Sequence, residues 1–203
     1  MKWCVMVLAV GDIHYKDDSK KVLVDYFTRN KVEYHFIETT PSLDLRGSHP
    51  SWWKLLAHKI LPGYDYIICW DLDLLPSSHS MKCFHEFNPS SLCIAWDSHA
   101  KYHPDDLFVP EFKYNGGLIG YPASARNFLE GIFVKYAPGI YPSYEQYYLN
   151  EEIAKQSYSV QELPADLNVL YSAPGFETAR LQHYTYKHEA KSKIKDHMLR
   201  YFR

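Results

Sequence analysis

The chain lacks any apolar run approaching the roughly 20 residues that a membrane-spanning helix needs. The segment "WCVMVLAV" (Trp3 to Val10) runs into Gly11-Asp12 without the small-residue cleavage site of a secretory leader, so it reads as a buried strand. An excess of charge of one sign is missing too. The 22 Lys and Arg stand against 24 Asp and Glu, a formal net charge of −2, which excludes the broad basic field of a nucleic-acid binder. Cysteine is sparse: Cys4, Cys69, Cys83 and Cys93 show no C-x-x-C spacing, and two of them sit in apolar strand candidates. Buried free thiols in a reducing compartment, hence a cytoplasmic location, follow. No repeat, low-complexity tract or linker breaks the sequence, and 203 residues suit one domain with its own core, spanning 1–203.

Aromatic side chains are plentiful. The 18 Tyr, 10 Phe and 5 Trp suit surfaces that stack on flat or ring-shaped ligands, or a Tyr-rich core. Trp3 to Val10 has the uninterrupted apolar character of a central parallel strand. An amphipathic helix over residues 17–30 follows, its acidic start a capping signal and Val22, Leu23, Tyr26 and Phe27 on one side. A second strand is expected over 32–38, a helix capped by Ser51, a buried strand at "YIICW" (66–70) and another at "LCIAWD" (92–97). Residues 99–112 read as a long functional loop in which His99, His103, Asp105 and Asp106 shape an acceptor pocket. "KYNGGLIGY" (113–121) reads as a short glycine-bearing strand, with helices over 123–135 and 144–156, a late strand at "NVLYS" and a basic helical tail facing inward through Ile194, Met198 and Phe202. Alternating strands and helices argue for an α/β fold, a mostly parallel central sheet flanked by helices. Ligands of such sheets sit at the carboxyl ends of the strands, where Asp12, Asp71 and Asp97 all fall.

The stretch "YDYIICWDLDLLP" (Tyr64 to Pro76) drives a buried strand into two carboxylates. Asp71 and Asp73 share a side in an extended segment, and like charges so close repel one another. Either the tip is solvated, a surface turn that happens to hold two acids, or the pair holds a cation. Magnesium or manganese takes one or two carboxylates and completes its shell with phosphate oxygens. Departure of a nucleoside diphosphate is the reaction that uses such a cation.

Several motifs in order resemble GT-A (Rossmann-like) glycosyltransferases, in particular the retaining group that includes glycogenin and the bacterial lipopolysaccharide galactosyltransferases. They are "AVGDIHY", "WWKLLAHKILPGYDYIICWDLDLLP", "YNGGLIGY", "EQYYLN", "LPADLN" and "QHYTYK". In its brevity the chain is also similar to small glycosyltransferase domains of large algal viruses, for which the compartment would be the host cytoplasm. The resemblance implies that Asp12 and Tyr15 recognise uridine and that Asp71, Asp73 and His183 hold Mn2+ or Mg2+. Lys54, Asp71, Asn115 and Gly116 then line the donor sugar nucleotide. It places Glu145 and Gln146 near the reacting carbon, for positioning and charge stabilisation, and implies residues 1–97 as nucleotide-binding part and 98–203 as acceptor and metal-completing part. A UDP-sugar donor, a carbohydrate acceptor and retention of configuration are expected, with no nucleic acid, no membrane span and room for further domains of a longer chain. Two departures stand out. Glu145 replaces the group's Asp, and its H-x-x-G-x-x-K-P-W ending is absent, leaving Lys187 and Lys191 as alternative partners of the diphosphate.

Each residue also has a plainer explanation. His183 is one of 11 histidines, Tyr15 one of 18 tyrosines, Lys187 one member of a basic tail, and Trp52 and Trp53 suit core packing better than a sugar platform. Two other functions fit the same motifs: a haloacid-dehalogenase-type phosphohydrolase, which also carries D-x-D after a strand, and a catalytically silent nucleotide-sugar or glycan-binding module. In the phosphohydrolases the motif opens the first strand, whereas here it comes some seventy residues in.

Overall fold

The computed structural model describes residues 1–78, 81–97, 113–137, 144–171, 173–184 and 188–203. Residues 99–112 and Lys187 lie outside them, so the acceptor-loop expectation and that for Lys187 fall outside the described residues.

Among the described residues, nine strands form two sheets. The larger has the order β2 (Tyr34–Ile37), β1 (Trp3–Leu8), β3 (Tyr66–Asp71), β6 (Tyr114–Pro122), β5 (Leu92–Trp96), β7 (Val160–Glu162). All neighbours are parallel except that β6 runs against both β3 and β5. Strands β1 and β3 read as unbroken apolar runs because both faces are covered. Val5, Val7, Ile68 and Trp70 enter one core layer, while Cys4, Met6, Ile67 and Cys69 enter the other. The antiparallel β6 is nine residues long, more than the short strand expected, and its first residues lie where β3 and β5 end. Asn115, Gly116 and Gly117 are thereby delivered to the carboxyl edge of the sheet.

Helix α1 (Lys16–Arg29) carries Asp17 and Asp18 in its first turn and Arg29 in its last, complementing the helix dipole. It begins one residue earlier than expected, with Tyr15 at the cap and no side-chain capping bond, so the acids act through the dipole. The helix expected from Ser51 is a 3-10 segment, Pro50–Leu56, followed by the single turn Ala57–Ile60. His49 is its cap, accepting from the Ser51 amide at 3.2 Å. Trp52 and Trp53 are core residues.

The second sheet sets the site. Its order is β4 (Leu74–Pro76), β9 (Leu181–His183), β8 (Val169–Leu170). Leu74 stands opposite His183, and the Tyr184 amide donates to the Asp73 carbonyl at 2.9 Å. Between β3 and β4 the chain turns at Leu72-Asp73, and the Trp70 indole N–H donates across that turn to the Leu74 carbonyl at 2.6 Å. The terminal helix, Ile194–Tyr201, buries Ile194, His197 and Tyr201. Phe202, expected on that face, is 51% exposed because the helix ends at Tyr201. All four cysteines are free and buried, and no helix among the described residues is long and apolar enough to cross a membrane.

Candidate active site

Lys54, Asp73, Asp97, Asn115, Glu145, Asn168 and His183 are polar yet buried, and burial of such groups is tolerated only when each is paired. They converge at the carboxyl edge of the large sheet, and their bonds account for most of the site.

Asp71 and Asp73 meet His183 although a turn, not a continued strand, separates them. His183 Nε2 lies 3.3 Å from Asp73 and 3.8 Å from Asp71, and ligand atoms of the three lie within 4.8 Å of one another. The ring is oriented from behind. Asn168 uses its amide N–H on the Trp96 carbonyl at 3.1 Å, leaving its Oδ1 to accept from His183 Nδ1 at 2.7 Å. That tautomer places the Nε2 lone pair toward the carboxylates, the arrangement of an oriented metal ligand. Burial, against the pull of Asp71, pushes the His183 imidazolium down to about 4, so the ring is neutral at pH 7. Two carboxylates and one neutral imidazole on one side fit a divalent cation with open positions for phosphate oxygens.

Each carboxylate already has a cationic neighbour. Lys54, from the 3-10 segment, is fully enclosed and spends its three N–H groups on Asp71 (2.6 Å), Glu145 (3.3 Å) and the Gly116 carbonyl (2.8 Å). Burial opposes its charge, yet Asp71 and Glu145 outweigh burial and hold Lys54 above the ordinary lysine range. Burial likewise opposes ionisation of Asp71, and Lys54 overcomes it, keeping this carboxyl below the usual range. Lys191 contacts the other carboxylate, Asp73. Its ammonium also donates to Tyr15 Oη at 3.2 Å and lies 4.8 Å from the centre of that ring. Burial, partly offset by Asp71, pushes Lys191 down to about 8, and burial with the nearby Asp71 raises Tyr15 to about 12. Of the two lysines left open by the sequence, Lys191 is at the acidic pair.

Glu145 and Gln146 open the helix Tyr144–Lys155. Gln146 accepts from the Gly116 amide at 2.9 Å and donates to Asp97 at 2.8 Å, so both ends of its amide are used. Asn150, one turn on, accepts from the Tyr114 amide (2.9 Å) and donates to the Tyr114 carbonyl (2.8 Å), pinning this helix to β6. The two glycines have separate reasons. A Cβ at Gly116 would meet Glu145 Oε1 at 2.8 Å, and one at Gly117 would meet His183 Cε1 at 2.5 Å. Asn115 accepts from the Gly117 amide at 2.8 Å and reaches Asp97 at 3.5 Å. Asp12 is exposed in the loop after β1. Asp97, Asn150 and Asn168 had no assigned role in the sequence reading; their signal was the strand end and the closing Asn of "EQYYLN" and "LPADLN".

No protein-family model and no curated protein matches the chain. Solved structures do. A glycosyltransferase involved in glycosylation of the major capsid of PBCV-1 superposes with a TM-score of 0.66 at 13% identity, over 97% of this chain and 98% of that one. Galactosyltransferase LgtC, in complex with donor and acceptor sugar analogues, gives 0.55 at 10% identity over 96% and 95%. The glycosyltransferase GlyE of Streptococcus pneumoniae TIGR4 gives 0.56 at 12%, over 98% of this chain and 61% of that one. What is shared at these identities is the fold. The chain has the GT-A glycosyltransferase fold, as its motifs led us to expect.

Proposed function

We propose that the chain is a metal-dependent glycosyltransferase that moves a sugar from a UDP-sugar to a carbohydrate hydroxyl with retention of configuration. The observation that carries this reading is the meeting of Asp71, Asp73 and an Asn168-oriented His183 at the carboxyl edge of a GT-A sheet. Mn2+ or Mg2+ held there would neutralise charge on the departing diphosphate. Asp12 and Tyr15 would recognise the base. Gly116 and Gly117 leave backbone bare where the donor sugar must approach. Glu145, fixed by Lys54, presents a carboxylate to developing positive charge at the transferred carbon, and Gln146 sets the distance between β6 and Asp97. Lys191 or Lys187 would meet the diphosphate. The division into a nucleotide-binding part (1–97) and an acceptor part (98–203) belongs to the same reading. So does a cytoplasmic location, supported by four free thiols. The phosphohydrolase alternative fits poorly with a D-x-D that closes the third strand of a GT-A sheet.

The test is release of UDP from a panel of UDP-sugars with and without Mn2+, alongside thermal shifts with UDP and GDP. Metal-dependent UDP release, and a larger shift with UDP–Mn2+ than with UDP alone or GDP, are expected. Binding without release in every case would favour a silent module, and no nucleotide effect would overturn the reading. Anomeric coupling of the first product by proton NMR should show retention, and Glu145→Gln should keep measurable retaining turnover. A residue acting as the base of an inverting reaction would lose nearly all of it.

A further inference from the structure

Against the small sheet, past the strand that carries His183, lies a cleft that the proposed chemistry does not use. A cavity of about 560 Å³ is lined by Tyr171, Phe176, Glu177, Thr178 and Glu189, among others. A second, of about 400 Å³, shares Tyr171, Phe176 and Glu177 and continues toward Lys193 and Arg200. Together they form an elongated depression, longer than one ring-sized ligand needs.

Its position is set by the small sheet. The Tyr171 amide donates to the carbonyl of His183 at 2.8 Å, directly after the pairing of Leu170 with His183. Glu189 stands on the short helix His188–Ser192 that also carries Lys191 to Asp73. Tyr171 and Tyr184 each follow the Leu170–His183 pair by one residue, so their rings lie on the face of the small sheet opposite the His183 ring. The floor of the cleft is aromatic: the Tyr171 ring stacks on Tyr184 with centroids 6.1 Å apart and meets Phe176 edge-on at 5.3 Å. Its rim is acidic and exposed, with Glu177 and Glu189 and the Thr178 hydroxyl. Among the described residues, neither lysine nor arginine lines the first cavity.

That chemistry selects among ligands. Glu177 is held only loosely by the exposed Arg200, at 3.5 Å, so with Glu189 the described lining of the first cavity stays acidic and disfavours a phosphate. Carboxylates accept hydrogen bonds from neutral hydroxyls, and a flat ring covers the apolar face of a pyranose. We infer that this cleft is a glycan subsite, holding neutral sugar units of the acceptor remote from the reacting hydroxyl, with Tyr171 as platform and Glu177 and Glu189 as hydroxyl acceptors. The inference rests on the glycosyltransferase reading for the word acceptor, and on the cleft alone for saccharide binding.

The experiment measures saturation-transfer NMR and titration of the full chain with neutral tri- to pentasaccharides of gluco, galacto, manno and xylo configuration. Tyr171→Ala, Tyr171→Phe and Glu189→Ala are compared with the unaltered chain, and each is also tested for its UDP–Mn2+ thermal shift. Saturable binding of at least one saccharide is expected, weakened about tenfold or more by Tyr171→Ala and by Glu189→Ala and kept by Tyr171→Phe. The UDP–Mn2+ shift should stay unchanged in all three. No saccharide binding, or binding indifferent to Tyr171→Ala and Glu189→Ala, overturns the subsite. A missing UDP–Mn2+ shift in the unaltered chain overturns the glycosyltransferase reading instead, whatever the saccharides do.

Discussion

Replacing Lys191 by methionine should make the metal-free protein bind Mn2+ more tightly, not less. The ammonium stands against Asp73, where a cation would stand, so a metal must displace it before using that carboxylate. Met keeps the length and apolar contacts of the side chain while removing the charge. At an effective dielectric of about 20, two unit charges about 4 Å apart attract by about 4 kcal/mol. Desolvation exceeds this attraction, as the fall of the Lys191 pKa to about 8 shows, so the ammonium is readily displaced. Relieving on the order of 1–2 kcal/mol of repulsion between that charge and an arriving Mn2+ is equivalent to about a tenfold gain in metal affinity. Free Mn2+ can be followed by electron paramagnetic resonance in a titration without nucleotide. Lys195→Met supplies the same change in net charge from an exposed position and should leave the affinity near that of the parent. Equal or weaker Mn2+ binding by Lys191→Met, or an equal gain with Lys195→Met, refutes the idea that Lys191 occupies the cation's place.

Asp71→Ala should abolish transfer and also lower stability by roughly 3 kcal/mol in urea unfolding, because it leaves the enclosed Lys54 with Glu145 as its remaining carboxylate. Repulsion between two like charges would argue the other way, but each carboxylate has its own cation, Lys54 at Asp71 and Lys191 at Asp73. Asn168→Ala frees the His183 ring and should weaken Mn2+ binding by about 10-fold or more, read in the same titration. The pH dependence follows from two buried histidines, His183 and His197, which burial pushes down to about 4. The unfolded chain takes up these protons near pH 6.5 while the native state stays neutral until about pH 4, so unfolding binds protons in this window and stability falls as pH drops through it. Each histidine should cost about 2 kcal/mol between pH 7 and pH 5 without metal. Urea midpoints at the two pH values check this, and a flat profile contradicts it.

The central strands and the acidic pair were legible because both are local signals. An unbroken apolar run needs two covered faces, and two aspartates at its tip need a reason. His183 was legible through its place in a motif. What spacing cannot display is partnership. Lys54 reaches Glu145, Asn168 reaches His183 and Lys191 reaches Asp73 only because separate segments are folded onto one edge. The cap at His49 was hidden for a local reason: Ser51 is the stronger capping residue by type, while Pro50 starts the turn one residue ahead of it. Phe202 fits the spacing of Ile194 and Met198, but the helix stops before it, and His197 and Tyr201 supply the buried stripe.

The small sheet makes the cation centre a latecomer in the history of each molecule. Asp71 pairs with Lys54 inside the first half of the chain, but the histidine arrives on a strand near its far end, and Lys191 and Asp73 are 118 positions apart. Closing so long a loop is entropically slow, and nothing rewards it until β9 docks on β4. A partly folded chain therefore holds two acids without their imidazole and grips a cation poorly. During refolding, tight Mn2+ uptake should rise with the slowest phase, making the ion a clock for the moment when the two ends of the polypeptide meet.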